Sequence, residues 1–375
     1  MQKNTFKIAL LNNSQAWGGL EINTVLLAKW LQEAEHQVCL ICIENSRAVQ
    51  LAKSYHIPVV ETKKQLQKYS LLSAKKLAKK LQQEGYHFFW VAHSQDIYLA
   101  NYVKFFSKTL KIIYLQQMYV GLNKKDFLHK IFYCNLDAWI SPLPYLRENT
   151  LQNTPIKPDK IHIIPLCIET EKFVEPKDKN QLRQMLGLPL EKKIVGTIGR
   201  IDRGKGQEFV IEALAKLRAK GYDLDLLIMG NETKGKENTY LPHLKNLAEK
   251  LNVTDFVHFR EHLQAVELAY ATLDFFVVAS LEETYGMVTI EAMASRLPVV
   301  GVATFGTKEL IAHEKTGLHC KSQDANSIAE ALIRFLDNPE FAQKIATQAQ
   351  KEVQEKYSHR VAVQSITKIL LDLFL

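Results

Sequence analysis

No apolar run in this 375-residue chain approaches the ~20 residues that a membrane-spanning helix needs. Its longest runs, such as 273–279, are strand-sized. The opening MQKNTFKIALLNN passes from a short apolar stretch into polar residues. It has neither the apolar core nor the small-residue cleavage site of a secretory signal, so a cytoplasmic protein is expected. Cysteine is scarce: Cys39, Cys42, Cys134, Cys167 and Cys320 are the whole set. Cys39 and Cys42 form a C-x-x-C, but it lies in the apolar HQVCLICIEN, and no second Cys or His pair follows at ligand spacing. The thiols read as reduced core residues, and no metal site is expected. Low-complexity tracts and short-period repeats are missing. Helix-turn-helix, zinc-finger and RNP-type signatures are missing too, so no nucleic-acid partner is expected despite a net charge of +8.

What the chain does have is an uneven distribution of that charge. Through Lys172, 22 basic residues stand against 13 acidic ones; beyond it, 26 stand against 27. Much of the excess lies in residues 63–80, where Lys63, Lys64, Lys68, Lys75, Lys76, Lys79 and Lys80 surround Leu66, Leu71, Leu72 and Leu77. The leucine spacing predicts a helix with one apolar side. Its plainest reading is a solvated helix face. The sharper reading is a surface drawn to anionic lipid or to an acidic acceptor, at about 1 kcal/mol per basic residue near a membrane.

Strand-length apolar runs alternate with helical periodicity. Strands are predicted over 6–11, 37–43, 87–92, 111–115 and 138–141, with an amphipathic helix over 20–34 behind Gly18-Gly19 and a closing strand over 161–165. A polar, proline-bearing stretch over 154–179 breaks the pattern, which then restarts. The second half predicts strands over 193–197, 225–229, 257–259, 275–279 and 298–301, with helices over 207–220, 240–251, 266–271 and 288–295. Near-continuous apolar strands suit parallel sheets covered on both faces. The expected fold is α/β, with two doubly wound, Rossmann-like domains over 1–172 and 173–358. Such domains facing across a cleft bind ligands at the carboxyl edges of their strands.

Two segments of the second half carry phosphate and sugar chemistry. VGTIGRIDRGKGQEFVIEAL runs from strand to helix and places Gly199, Gly204 and Gly206 beside Arg200, Arg203 and Lys205. A glycine-bearing turn at a helix start offers free N–H groups and the positive end of the helix dipole to an anion. Arg200 adds planar paired donors and Lys205 a point charge, a suitable combination for a diphosphate. It is not a P-loop, because Gly206 stands where a magnesium-binding Ser or Thr is required, and G-x-G-x-x-G fails at Phe209. SLEETYGMVTIEAMASRLPVVG then places Glu283 after a strand, Gly286 in the turn and Glu291 on the next helix. Eight helical steps cover ~12 Å, about the span from a sugar ring to a ribose across a diphosphate. A carboxylate accepts hydrogen bonds from vicinal hydroxyls. A turn at Phe305, Gly306 and Thr307, before a helix expected near Lys308, offers further backbone donors.

In this context Glu283-x7-Glu291 resembles the E-x7-E signature of the family 4 glycosyltransferases of GT-B fold. GRIDRGKG, WGGLEINTVLLAKWL and IHIIPLCIETEKF resemble other parts of that family in the same order. The resemblance implies transfer of a sugar from a nucleotide-sugar, of UDP or GDP type, with retention of anomeric configuration and no metal or other cofactor. The acceptor would be a glycan or a lipid-linked molecule in envelope or polysaccharide synthesis; the basic N-terminal half, not the resemblance, is what suggests peripheral contact with the inner face of an anionic membrane. By the resemblance, Arg200 and Lys205 bind the diphosphate and Glu291 the ribose. Glu283, with Thr284, Tyr285, Gly286 and Met287, meets the donor sugar. Phe305, Gly306 and Thr307 add to the phosphate loop, and Gly18 and Gly19 close on phosphate and acceptor. His93, which at a strand end is most often structural, matches the histidine near the reaction centre. The final helix, about 359–375, is implied to pack on the first domain. The chain departs from the family at Leu166-Cys167, at Gln116-Gln117 and at Phe305, which replaces a glycine. Asp223-x-Asp225 reads as a helix-to-strand turn rather than a metal pair. A nucleotide-sugar epimerase of the same fold and an inactive nucleotide-sugar binding protein are the alternatives.

Overall fold

The computed structural model describes residues 5–174, 178–232 and 240–375. The polar stretch expected to join the two halves thus includes residues, 175–177, that lie outside the described set. Contacts divide the chain into two units, Met1–Leu166 with His359–Leu375, and Cys167–Ser358. Residues 167–172 therefore belong to the second unit.

The first unit holds β1 (Lys7–Asn12), β2 (Gln37–Ile43), β3 (Val59–Thr62), β4 (Phe88–Val91), β5 (Lys111–Leu115), β6 (Ala138–Ser141) and β7 (Ile161–Ile163). Its helices are α1 (Gly19–Glu33), α2 (Arg47–Ser54), α3 (Leu71–Gln83), α4 (Asp96–Phe106), α5 (Phe127–Cys134), α6 (Pro144–Asn153) and the closing α15 (His359–Phe374). The second unit holds β8 (Lys193–Ile198), β9 (Leu224–Met229), β10 (Val257–Arg260), β11 (Phe275–Val278), β12 (Val299–Val302) and β13 (Leu318–Cys320). Its helices are α7 (Lys179–Met185), α8 (Gln207–Ala219), α9 (Leu241–Lys250), α10 (Val266–Tyr270), α11 (Met287–Ala294), α12 (Phe305–Leu310), α13 (Ala325–Asp337) and α14 (Pro339–Lys356).

The strand orders are β3-β2-β1-β4-β5-β6-β7 and β10-β9-β8-β11-β12-β13, and every pairing between these strands is parallel. Each order reverses direction once, between β1 and β4 in the first sheet and between β8 and β11 in the second. Open parallel sheets bind ligands outside the carboxyl ends of the strands at that reversal. The central strands FFWV of β4 and LDLLIM of β9 are buried throughout, which requires cover on both faces. Helix α15 joins the first unit through its ends and middle: His359 lies against Trp30, Thr367 Oγ1 is 3.1 Å from His36 Nε2, and Phe374 packs on Phe6.

Three local expectations change. Strands β3 and β13 follow short or polar-tipped runs that carry too little alternation to be predicted. Helix α12 begins at Phe305 rather than near Lys308, so Phe305, Gly306 and Thr307 form its first turn. The basic segment 63–80 is not one amphipathic helix. Lys63, Lys64 and Lys68 precede α3, whose buried stripe is Ala74, Leu77, Ala78 and Leu81, while Leu71 and Leu72 are exposed. Asp225 lies inside β9, and its carboxylate accepts from Lys192 Nζ at 3.3 Å and sits 2.7 Å from His258 Nε2.

The second sheet is fixed at its reversal by one polar cluster. Arg183 is 4% exposed and donates to Thr272 O, Leu190 O, Lys192 O and, at 2.8 Å, to Asp274 Oδ2. That same oxygen accepts the Ile194 N–H of β8 at 2.8 Å, and Lys179 Nζ donates to Asp274 Oδ1 at 3.0 Å. Burial pushes the Asp274 carboxyl up, but Lys179, the Ile194 N–H and Arg183 outweigh it and hold the group below the usual range. Its contribution to stability is therefore complete above the ordinary carboxylate pKa and is lost as pH falls through the folded value. Asp274→Ala leaves Arg183 charged and buried without its partner and is expected to cost about 3–5 kcal/mol in urea titrations; a loss under ~1 kcal/mol would contradict the assignment.

Candidate functional site

On the second sheet, the loops leaving β8 and β11 are tied to each other. Leu281 N–H donates to Gly204 O at 2.9 Å. Gly206 has φ +67°, and a Cβ there would stand 2.3 Å from Ala279 O, so only glycine allows the approach. This brings Lys205 Nζ to 2.7 Å from Glu283 Oε2, with both side chains half-buried. Asp202 caps the single 3₁₀ turn over Arg203–Lys205 by accepting from Gly204 N–H, and Gln207 Nε2 donates to Arg200 O at 2.8 Å. The Arg200 side chain is exposed, with no ion-pair partner among the described residues.

The third loop, after β12, closes on the second. Gly306 N–H donates to Glu283 O at 3.0 Å, and a Cβ on Gly306 would lie 2.2 Å from Tyr285 O. Thr284 and Tyr285 are thus clamped beneath α12, with the Tyr285 side chain buried. Gly286 caps α11 at φ +103°, and Met287 opens the helix. Thr307 is buried, and its hydroxyl has no hydrogen-bond partner among the described residues. One turn into α11, Glu291 Oε2 accepts from Tyr270 Oη at 2.8 Å. Burial pushes the Glu291 carboxyl up to about 7, assisted by the charge of Glu267 and opposed by the Tyr270 hydroxyl. Tyr270 was not singled out in the sequence; it lies in α10, and only the fold places it under the carboxylate.

The reversal of the first sheet holds a different set. Glu21 Oε1 on α1 is 3.4 Å from His93 Nε2 at the end of β4. The pairing with Glu21 raises the His93 pKa, burial lowers it, and Asp96 adds to the raise. Burial pushes Asp96 up to about 6, against a hydrogen bond from Asn13 Nδ2 at 2.9 Å and the charge of His93. For Glu21, burial raises the pKa, but His93 and further hydrogen bonds leave it below the usual value. Gly18 is extended, and a Cβ on Gly18 or Gly19 would meet no close neighbour, so the fold itself does not require glycine at either place. Glu21 and Asp96 were missed because each is one acid in an apolar helix start; their common signal is burial. The two glutamines that replace family residues have structural partners. Gln116 Oε1 accepts from Trp139 Nε1 and Thr150 Oγ1, and Gln117 accepts from Asn23 Nδ2 and donates to Leu20 O.

His93, Gly18 and Gly19 thus lie in the first unit and the remaining candidates in the second. A family model described as Glycosyl transferases group 1 matches residues 178–352, and one described as Glycosyltransferase Family 4 matches residues 17–172. The chain belongs to the family 4, group 1 glycosyltransferases. Among curated relatives, a D-inositol 3-phosphate glycosyltransferase of Corynebacterium aurimucosum is 30% identical over 54% of this chain and 49% of its own length. The lipopolysaccharide core biosynthesis mannosyltransferase LpsB of Rhizobium meliloti is 30% identical over 46% of this chain and 49% of its own. The chain spans about half the length of the curated relatives it matches. Among solved structures, a glycosyltransferase from Rickettsia africae superposes with a TM-score of 0.88 at 19% identity, covering 99% of both chains. HepE of Anabaena, solved with UDP, gives 0.87 at 19% identity over 98% of this chain and all of that one. The family 4 chain described here has their fold, GT-B.

The couple on the first sheet is directly testable. Glu21→Gln should lower the His93 pKa, read from its imidazole NMR shifts against pH, and should lower it more than Asp96→Asn does. The reverse ranking, or no change in either variant, would dissolve the couple.

Proposed function

We propose that this glycosyltransferase moves a sugar from a nucleoside-diphosphate donor of UDP or GDP type to a glycan or lipid-linked acceptor, retaining the anomeric configuration and needing no metal. The observation that carries the reading is the junction of Lys205, Glu283 and the start of α11 at the carboxyl edge of β8 and β11. A cation, a carboxylate and free helix N–H groups together match a sugar joined to a diphosphate. The solved structures of HepE with UDP and with UDP-glucose support a donor of this class.

In this reading the bond from the anomeric carbon to the diphosphate oxygen breaks, and negative charge builds on the leaving diphosphate. Arg200, Lys205 and the α11 N-terminus neutralise it, the largest electrostatic task of the reaction. The sugar passes through an oxocarbenium-like state. The acceptor hydroxyl attacks on the face being vacated and gives its proton to the departing phosphate oxygen. Glu291 accepts from the ribose hydroxyls, and on the first unit the pair of His93 and Glu21 offers a carboxylate and an imidazole to the acceptor. The chain is assayed with a panel of nucleotide-sugars in the presence of a chelator. Slow hydrolysis of one nucleotide class, made faster by a membrane extract, is the expected result. Interconversion of two nucleotide-sugars would instead establish an epimerase, and binding without turnover a binding protein.

Lys205 Nζ lies 2.7 Å from Glu283 Oε2, so the carboxylate competes with a diphosphate for the ammonium. Glu283→Gln should therefore free the ammonium and tighten nucleoside-diphosphate binding roughly two- to fivefold, the scale of a half-exposed ion pair, while turnover falls sharply. Weaker diphosphate binding in this variant would contradict the competition. Glu291 supplies a pH signature. Ribose hydroxyls stabilise its charged form, so the complex has the lower pKa, and binding should release a proton near pH 7 and strengthen as pH rises through about 7. Calorimetry in two buffers of different ionisation enthalpy reads that proton, and Glu291→Gln should abolish it.

A further inference from the structure

The three strands whose loops form the candidate site of the second unit begin beside a hollow at the opposite edge of their sheet. Lys193 opens β8, Phe275 opens β11 and Pro298 precedes β12, and all three line a cavity of about 270 Å³. That volume lies near the lower end of small-molecule pockets, roughly 300–1,000 Å³. The facing wall comes from α13 and α14 through Phe335, Ala342 and Ala346, which are 1%, 5% and 2% exposed. The rings of Phe275 and Phe335 stack at 6.3 Å with an angle of 8°. The body of the cavity is therefore apolar and in part aromatic.

The charge at its mouth has one sign. Lys193 and Arg296 line the cavity and are exposed. Asp274, the one carboxylate among the lining residues, is already taken by Arg183, Lys179 and the Ile194 N–H. Lys193 Nζ reaches it only at 3.6 Å, and the Lys193 side chain is 62% exposed. Arg296 lies against a hydroxyl instead, donating from Nε to Thr347 Oγ1 at 3.2 Å. Its φ of +56° strains a long side chain, and the bond from its own N–H to Met293 O holds the turn. A strained backbone thus presents a cation at the rim of an apolar hollow.

The wall of this cavity is also fastened to the helix that carries Glu291. Thr347, next to Ala346 on α14, takes Arg296, and Gln350 Nε2 donates at 2.8 Å to Ala294 O, the last residue of α11. Ser295 closes the link, donating to Glu291 O from its N–H at 3.0 Å and from its hydroxyl at 2.9 Å.

We propose that this cavity is an effector site for a small amphiphilic anion, a short aliphatic or aromatic body with a carboxylate or phosphate head. The body packs against Phe275, Phe335 and Ala346, and the head is held by Lys193 and Arg296. Occupancy braces α14 and, through Arg296 and Ala294, the helix of Glu291, so it changes the affinity of the second-unit site for a nucleotide. The effector role rests on the nucleotide reading of that site; the binding does not.

The full chain is titrated in a calorimeter with octanoate and with octyl phosphate, and the tighter of the two identifies the head group. One site per chain is expected, with acetate, inorganic phosphate and octanol each about tenfold weaker or more, since head and body act together. Lys193→Gln with Arg296→Asn should weaken the anions about fivefold and leave octanol unchanged, the scale of two exposed cations; asparagine tolerates the left-handed backbone. Ala346→Leu fills the cavity and should abolish binding, with circular dichroism as the check on folding; should it unfold, the cation pair alone decides. No binding of either anion overturns the proposal, as does binding that the cation pair leaves intact. Octanol binding as tightly as the anions overturns it too, because the hollow would then recognise no charge. The tighter anion at saturation should shift UDP or GDP affinity about fivefold; an unchanged affinity overturns the effector role. Absence of any nucleotide binding would count against the transferase reading and leave the anion titrations standing.

Discussion

The candidate site on the second sheet depends on the stitch between the loops leaving β8 and β11. These strands are neighbours only because the sheet reverses there, and Lys205 and Glu283 stand 78 residues apart in sequence. The Leu281 N–H bond to Gly204 O and the approach of Gly206 to Ala279 O fix the distance before the side chains meet. The ion pair therefore reports the backbone geometry rather than creating it. Half-exposed pairs of this kind contribute little to stability, so its value lies in holding an ammonium and a carboxylate at one place on the sheet edge.

The first unit repeats the plan with opposite electrostatics. Asn13 follows β1 and His93 follows β4, again neighbours across a reversal. Here the groups are two buried carboxylates and a half-buried imidazole rather than an ammonium and one carboxylate. The anchoring is also repeated. Asp137, just before β6, accepts the Ile112 N–H of β5 and Lys104 Nζ, as Asp274 accepts Ile194 N–H and Lys179. A half-buried carboxylate just before a strand thus ties together a neighbouring strand and a lysine in both sheets.

The parts legible in the sequence were those whose signal is local. Apolar strand runs, the glycine turn at 199–206 and the spacing of Glu283 and Glu291 are each contained in one short segment. Tyr270 under Glu291, and Glu21 and Asp96 around His93, meet only through the fold, and no periodicity marks them. Residues 63–80 show a second limit. A helical pattern states which residues share a face, but not whether that face meets the core. Leu71 and Leu72 fit an apolar side and are nonetheless outside, because burial in α3 starts a turn later at Ala74.

Phe305 shows how far the stitching extends. Its φ of +46° is a left-handed conformation in which a bulky side chain is strained, at a cost on the order of 1–3 kcal/mol. Such a conformation persists only where its surroundings over-determine it. Here Gly306, the next residue, is pressed against Tyr285 O and bonded to Glu283 O, and Thr304 Oγ1, just before, donates to Leu281 O at 3.4 Å. Leu281 is in turn bonded to Gly204. Three loops from β8, β11 and β12 are thus connected in series by their main chains. Loops held to one another in this way need less ordering by a ligand, so less binding free energy is spent on it. That is the condition under which fixed N–H groups and one lysine can stabilise a charge that appears only as a bond breaks.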